Sequence, residues 1–318
     1  MKKAIIMRNI LNVIGFPLYL INRTIHNKRR QAPIGDLIEV GGKKIHTIVT
    51  GDKDARCTVI LDAGLSCCSL DWVHIQPELS KFTRVVSFDR PGYGWSTLAN
   101  GKYTSEDMVS DLHQLLTELY IEGPLILVGH SYGGLNMRLF ASKFPEKVAG
   151  IVLIDSVHEN RYISNYWDQS RKKEYKKSNR LFQLGFIMSE IGIPRLLGLA
   201  VGRKWLPAPY QDVAHYTSYQ PSAYEAVCKE FIYAEKSAQL VKQASPLEQN
   251  LPVTVLSSKN NDPTWKQQQE LLGNLTNNVS TIQTNHGHSM HLENPKLVIE
   301  VIKDLVLIIK GELNETNN

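Results

Sequence analysis

The 318-residue sequence contains only four cysteines, Cys57, Cys67, Cys68 and Cys228. None stands at C-x-x-C spacing or beside histidines at zinc-ligand intervals, which argues against a disulfide scaffold and a zinc module. They read instead as small buried hydrophobes. The chain also lacks internal repeats and low-complexity tracts. With 42% hydrophobic and 21% charged residues, it is neither a disordered chain nor a multi-span membrane protein. Acidic residues are absent from positions 1–35, which carry seven basic ones: Lys2, Lys3, Arg8, Arg23, Lys28, Arg29 and Arg30. Residues 36–318 then hold 29 Lys or Arg against 31 Asp or Glu. The formal net charge of +5 therefore belongs to the leader. The near-neutral body argues against a nucleic-acid partner.

The leader, residues 1–35, is apolar from Ala4 to Ile21 but is broken by Arg8, Asn9 and Asn12. At 18 residues it is short for a membrane span, which needs roughly 20. A mid-bilayer Arg costs about 2.5–3.5 kcal/mol on insertion scales. No small-x-small cleavage site follows Ile21. The segment reads as a single membrane anchor or an interfacial amphipathic helix, making the chain membrane-associated through residues 1–30. The alternatives are a helix packed on a cytoplasmic domain and a cleaved signal peptide. Clustered Lys and Arg favour an anionic leaflet.

Beyond the leader, Leu37–Thr50 alternates apolar and polar residues around Gly41-Gly42 and reads as a hairpin. Short apolar runs follow at Cys57–Leu61, Arg84–Phe88, Leu125–Val128, Gly150–Ile154 and Val253–Leu256. Their length and continuity suit strands buried on both faces of a parallel sheet. Helix-period segments lie between and after them, at Ser105–Tyr120, Leu135–Phe144 and Pro295–Ile309. The alternation predicts an α/β fold. Residues 158–245 break the rhythm with polar, aromatic and basic stretches, including Arg171–Lys177. They read as an inserted helical cap dividing the core into residues 36–157 and 246–318, with the basic run on a solvated helix face.

The segment Leu125–Met137 carries Gly129-His130-Ser131-Tyr132-Gly133. A buried strand enters this G-x-S-x-G and an apolar-periodic helix leaves it. In that context the serine sits on a sharp turn that crowds its neighbours, so glycines flank it. A serine needs a base to act as a nucleophile. His288, after Gly287 in a loop before the last helix, is the candidate; His286 and His291 read as loop and helix-start residues. The orienting acid is Asp155, at the end of the strand after the elbow helix, or alternatively Asp262. An oxyanion hole needs two convergent N–H groups. Tyr132, following the serine, would supply one, and Leu65, in the loop after the Cys57–Leu61 strand, the other.

Four landmarks then carry a family resemblance over about residues 37–312. They are Ala63-Gly64-Leu65 with Trp72 beyond it, Asp89-Arg90-Pro91-Gly92-Tyr93-Gly94-Trp95-Ser96, Gly129–Gly134 and Gly287-His288. The chain resembles the α/β-hydrolase fold superfamily. The resemblance implies an eight-stranded, mostly parallel sheet flanked by helices, a helical cap over a Ser–His–acid site, and the chain order Ser, acid, His. Ala63-Gly64 stands where His-Gly is more usual. Ser258-Lys259-Asn260-Asn261-Asp262 matches the family's common acid turn only loosely, and some relatives carry the acid where Asp155 lies. Haloalkane dehalogenases and epoxide hydrolases place Asp at the elbow, where this chain has Ser131. The expectation is a carboxylesterase-like serine hydrolase acting on a lipophilic ester, thioester or amide, with no cofactor or metal. An acyltransferase using the same acyl-enzyme and a non-catalytic ligand-binding module are the alternatives.

Overall fold

The structure, a computed structural model, describes residues 1–203, 206–259 and 262–311. Asn260 and Asn261 of the expected acid turn and Lys204 and Trp205 of the expected cap lie outside these residues. Eight strands form one sheet: β1 (Asp36–Val40), β2 (Lys43–Thr50), β3 (Thr58–Asp62), β4 (Arg84–Phe88), β5 (Leu125–His130), β6 (Val148–Ile154), β7 (Val253–Ser258) and β8 (Val279–Thr284). Their order is β1-β2-β4-β3-β5-β6-β7-β8. The β1–β2 and β2–β4 pairs are antiparallel and the remaining pairs parallel.

β8 was not among the apolar runs that mark the other strands. Its sequence, Val-Ser-Thr-Ile-Gln-Thr, is polar at all but Val279 and Ile282 because it forms the sheet edge and leaves much of its length to solvent. The interior strands show the opposite pattern, with every residue of β3 and β5 buried.

Alternate residues of each interior strand enter different cores. Ile60, Val86, Leu125, Leu127, Ile151 and Leu153 pack with α4 (Ser105–Glu118) and α5 (Gly133–Lys143) on one face. Val59, Val85, Ile126, Val128, Val152 and Ile154 pack on the other face with residues of α3 (Gln76–Leu79) and α12 (Pro295–Lys310). The period-2 geometry of a strand splits one apolar run into two packed faces. A capping box starts α4: the Thr104 side chain accepts from Asp107 N–H, and the Asp107 side chain accepts from Thr104 N–H.

Between β6 and β7 the chain forms α6 (Gln169–Ser189), α7 (Ile193–Leu196), α8 (Gln211–Thr217) and α9 (Pro221–Gln243). Helix α9 buries Ala226, Val227, Phe231, Ala234 and Ala238 along one stripe. Most of Arg171–Lys177 lies along α6 in solvent. Two helices remain near the C-terminus, α10 (Pro263–Leu272) and α11 (Met290–Glu293).

The leader forms two helices, α1 (Lys2–Ile14) and α2 (Phe16–Lys28), which meet at Gly15 with a bend of 94°. Among the described residues no single helix is long and apolar enough to cross a membrane. The pair lies against the cap. Ala4 packs with Phe186 and Cys228, and Arg8 pairs with Glu225 at 2.9 Å. Buried Asn22 donates to the carbonyls of Ser189 and Glu190 at 3.1 and 3.0 Å and accepts from Arg195 at 3.1 Å. One polar side chain so ties α2 to the end of α6 and to α7.

Candidate active site

β5 runs directly into the elbow, and Ser131 adopts φ +50°. A left-handed conformation at a non-glycine residue costs energy that the surrounding packing must supply. Here Ser131 N–H donates to Ile154 O, and Val157 and Gly134 N–H donate to Ser131 O. The small flanking residues have a direct cause: a Cβ on Gly129 would stand 2.6 Å from Gly134 Cα. Gly64 is constrained likewise, since a Cβ there would meet His130 Nδ1 at 3.0 Å and Ser131 Cβ at 3.2 Å. The oxyanion-loop candidate therefore approaches the serine because it lacks a side chain.

Ser131 Oγ lies 3.0 Å from His288 Nε2, and His288 Nδ1 lies 2.6 Å from Asp155 Oδ2. These three sequence candidates come together. Asp155 is completely buried, with φ +40°, at the end of β6. It also accepts from Ser258 N–H at 2.9 Å, Ser258 Oγ at 3.0 Å and Trp265 Nε1 at 3.1 Å. The Trp265 ring stands edge-on to His288, with centroids 5.5 Å apart.

Asp262, the alternative acid, is placed elsewhere. It caps α10 by accepting from Thr264 N–H at 3.0 Å and lies 3.7 Å from Arg161. The helix that begins there needs its carboxylate at the N-cap, and β7 ends with Ser258 facing Asp155 instead. The backbone N–H groups of Leu65 and Tyr132 donate to no protein acceptor among the described residues. Tyr132 is the N-cap of α5, so the positive end of that helix faces Ser131.

A second tier orients this group, and sequence reasoning did not identify it. His130 Nε2 donates to His288 O at 2.9 Å, tying the elbow to the histidine loop. His291, read as a helix-start residue, is fully buried and donates from Nε2 to Asp71 Oδ2 at 3.1 Å. Arg203, from the cap, forks onto the same carboxylate at 2.9–3.2 Å and donates to Ser289 Oγ at 3.0 Å. Burial raises the Asp71 pKa, but the His291 N–H and the Arg203 guanidinium outweigh it and hold the carboxyl ionised, well below its usual range. Asp71, His130 and His291 present ligand atoms within 4.8 Å of one another. Arg203 already neutralises the carboxylate, so a cation there would face a fixed positive charge.

The Asp89-Arg90 motif has a separate physical role. Asp89 accepts from His46 Nδ1 at 2.7 Å, Ser69 N–H at 2.7 Å and Trp95 N–H at 3.1 Å. The buried Arg90 guanidinium donates to the carbonyls of Ala63 and Gly64 at 2.7 and 2.8 Å. It also donates to Asp62, and to Glu230 of α9 at 2.6 and 3.3 Å. Asn136 of α5 donates to the other Asp62 oxygen at 2.8 Å. Core, cap and the Ala63–Leu65 loop thus share one cation.

Replacing Arg90 strands two buried carboxylates, so Arg90→Met should lower folding stability by about 3–5 kcal/mol in urea unfolding. Adding Glu230→Gln should recover part of that loss; no recovery would show that the charges are not what Arg90 compensates. Stability should also depend on pH below neutrality. Burial lowers the pKa of His158 from 6.5 to about 4, and burial likewise lowers His130 and His291. The folded protein keeps them neutral while the unfolded chain takes up protons. The His158 contribution is complete above pH 6.5 and falls away toward pH 4, by up to about 1.4 kcal/mol per pH unit. Those of His130 and His291 likewise diminish as pH falls below 6.5. Urea midpoints measured across that interval should fall with pH, and His158→Asn should flatten the slope. A pH-independent midpoint would contradict this.

Comparison with known proteins agrees with this architecture. The profile of the alpha/beta hydrolase fold family matches residues 58–295. The uncharacterized protein YqjL of Bacillus subtilis is 24% identical over 255 residues, covering 78% of this chain and 83% of that protein. The 2-hydroxy-6-oxo-2,4-heptadienoate hydrolase of Pseudomonas putida is 30% identical over 130 residues, 40% of this chain and 46% of that enzyme. Three further curated relatives are longer, and the chain spans only 20%, 40% and 49% of their length. Among solved structures, a thermophilic esterase from Thermogutta terrifontis superposes with a TM-score of 0.62 at 22% identity, covering 86% of this chain and 97% of the esterase. With the family profile spanning most of its length and the eight-stranded sheet in place, the chain belongs to the alpha/beta hydrolase fold family.

Proposed function

We propose that the protein is a serine hydrolase that cleaves lipophilic carboxylic esters through an acyl-enzyme on Ser131. The observation that carries this reading is the continuous hydrogen-bonded chain Ser131 Oγ–His288 Nε2 and His288 Nδ1–Asp155 Oδ2, at 3.0 and 2.6 Å. In this reading His288 removes the Ser131 proton as Oγ attacks the carbonyl carbon. Asp155 holds the imidazole tautomer and stabilises the imidazolium. The N–H groups of Leu65 and Tyr132 receive the developing oxyanion. His288 then gives its proton to the leaving alcohol, and a water deprotonated by the same imidazole releases the acid.

Two features support the narrower terms. The His288 side chain is 47% exposed, so water reaches the base, which favours hydrolysis over transfer to another acceptor. The cap also holds an apolar cavity of about 370 Å³ lined by Leu181, Phe182, Met188, Leu197, Val201 and Tyr224. Its wall includes Ser66, the residue after Leu65. A volume of that order accommodates a small lipophilic ligand. No cofactor enters the proposed reaction.

An ester chain-length series on wild type, Asp155→Asn and Asp262→Asn tests the reading. Each methylene buried is worth about 0.8 kcal/mol, so kcat/KM should rise about fourfold per added CH₂ until the cavity is filled. Asp155→Asn should lower kcat by roughly 10⁴, while Asp262→Asn leaves it within about twofold. Equal losses in the two variants would remove Asp155 from its assigned role. A flat series would remove the cavity from substrate binding.

A further inference from the structure

The leader and the adjoining cap stretch both leave large apolar residues exposed. At the bend between α1 and α2, Val13 and Ile14 are 78% and 76% exposed, and Phe16, Leu18, Leu20 and Ile21 are exposed beside them. That bend rests on the cap segment carrying the cavity mouth. A Cβ on Gly15 would lie 3.2 Å from Ile191, and Asn22 bonds Ser189, Glu190 and Arg195. The same stretch continues through Ile193, Pro194, Leu197 and Leu199, all lining the cavity. Leu196, 73% exposed, stands between them outside the lining. Leu181 and Leu184 of α6 line the cavity while remaining solvent-exposed. The leader, more than 150 positions away in sequence, thus packs against the cap stretch that continues into the cavity lining.

Charge identifies the occupant. Exposed Lys2 and Lys3 stand at the outer end of α1, and Arg23, Lys28, Arg29 and Arg30 lie along and beyond the second half of α2. No acidic residue occurs before Asp36. Residues 180–200 add Arg180 and Arg195 against Glu190 alone. An apolar face flanked along the chain by cations matches an anionic lipid leaflet, in which interfacial helices bury about 5–10 Å of their apolar side and each nearby Lys or Arg adds about 1 kcal/mol. A bent pair packed along the cap suits a helix pair lying in the interface better than one crossing it.

We propose that the α1–α2 bend and the Ile191–Leu199 cap rim form one docking surface for an anionic bilayer leaflet, with the acyl cavity opening into that leaflet so that ester substrates enter from the lipid phase. The docking rests on the surface alone; the entry of substrate rests on the Ser131 reading above.

Vesicle flotation of the full chain tests it, with phosphatidylcholine vesicles lacking or containing phosphatidylserine. Wild type should float with the phosphatidylserine vesicles and be released by high salt. Val13→Asp and Leu196→Asp should each weaken partitioning about tenfold, corresponding to about 1.4 kcal/mol. Both should keep wild-type turnover of a short, water-soluble ester and lose turnover of a long-chain ester dispersed in the vesicles in proportion to binding. Wild-type partitioning of Leu196→Asp would overturn the shared surface and leave the leader alone as the contact. A stable dimer abolished by Val13→Asp, with no vesicle binding, would overturn the lipid and assign the face to a second copy. If wild type binds vesicles but turns over neither ester, the docking stands and the Ser131 reading fails.

Discussion

One buried guanidinium holds together the parts from which the site is built. Arg90 directs its N–H groups at Asp62, Glu230 and two consecutive carbonyls, Ala63 and Gly64. Taking three charges out of water is costly, and the arrangement persists because each donor finds an acceptor. Its consequence is positional. With the Ala63 and Gly64 carbonyls held from one side, the backbone of that loop is fixed close against Ser131. Glu230 belongs to the cap helix α9, so the same cation sets the cap against the core.

A second linkage holds the histidine loop. Asp71, next to Trp72 beyond the Ala63–Leu65 loop, receives His291 and the cap residue Arg203, and Arg203 also reaches Ser289, the neighbour of His288. His130 holds the His288 carbonyl. The histidine loop is therefore anchored at His288, Ser289 and His291 by residues of the elbow, the cap and the core. The imidazole itself is left partly open to solvent. Asp155 is the contrasting case, completely buried and bonded by Ser258 and Trp265 as well as His288. Its three partners fix the carboxylate in place against the His288 ring.

The sequence was informative where one local rule governs a segment. Buried strands appeared as short apolar runs, α4 announced its start through Thr104 and Asp107, and the glycines around Ser131 reflected backbone crowding two residues away. It was silent on β8, whose edge position removes the apolar signature. It left the acid open because an aspartate at a strand end and one at a helix N-cap look alike in sequence; only the pairing of β6 with β7 brings Ser258 and Trp265 onto Asp155. Arg90, Asp71, Arg203 and Glu230 act through contacts across large sequence separations, and no spacing rule encodes those. Arg203 could not be singled out within a cap already rich in basic residues. The leader was read as one interrupted apolar stretch, whereas Gly15 divides it and Asn22 fastens its second half to the cap.

These linkages converge on Ser131, where a strained turn, a helix N-terminus and the His288 imidazole meet. The central claim is that this serine is a nucleophile activated by His288. Covalent labelling with a fluorophosphonate, followed by peptide mass spectrometry, tests it most directly. The account predicts a stoichiometric adduct on Ser131 in the wild type, none in Ser131→Ala, and labelling slowed by several orders of magnitude in His288→Ala. An unlabelled wild type, or equal labelling after Ser131→Ala, would contradict it.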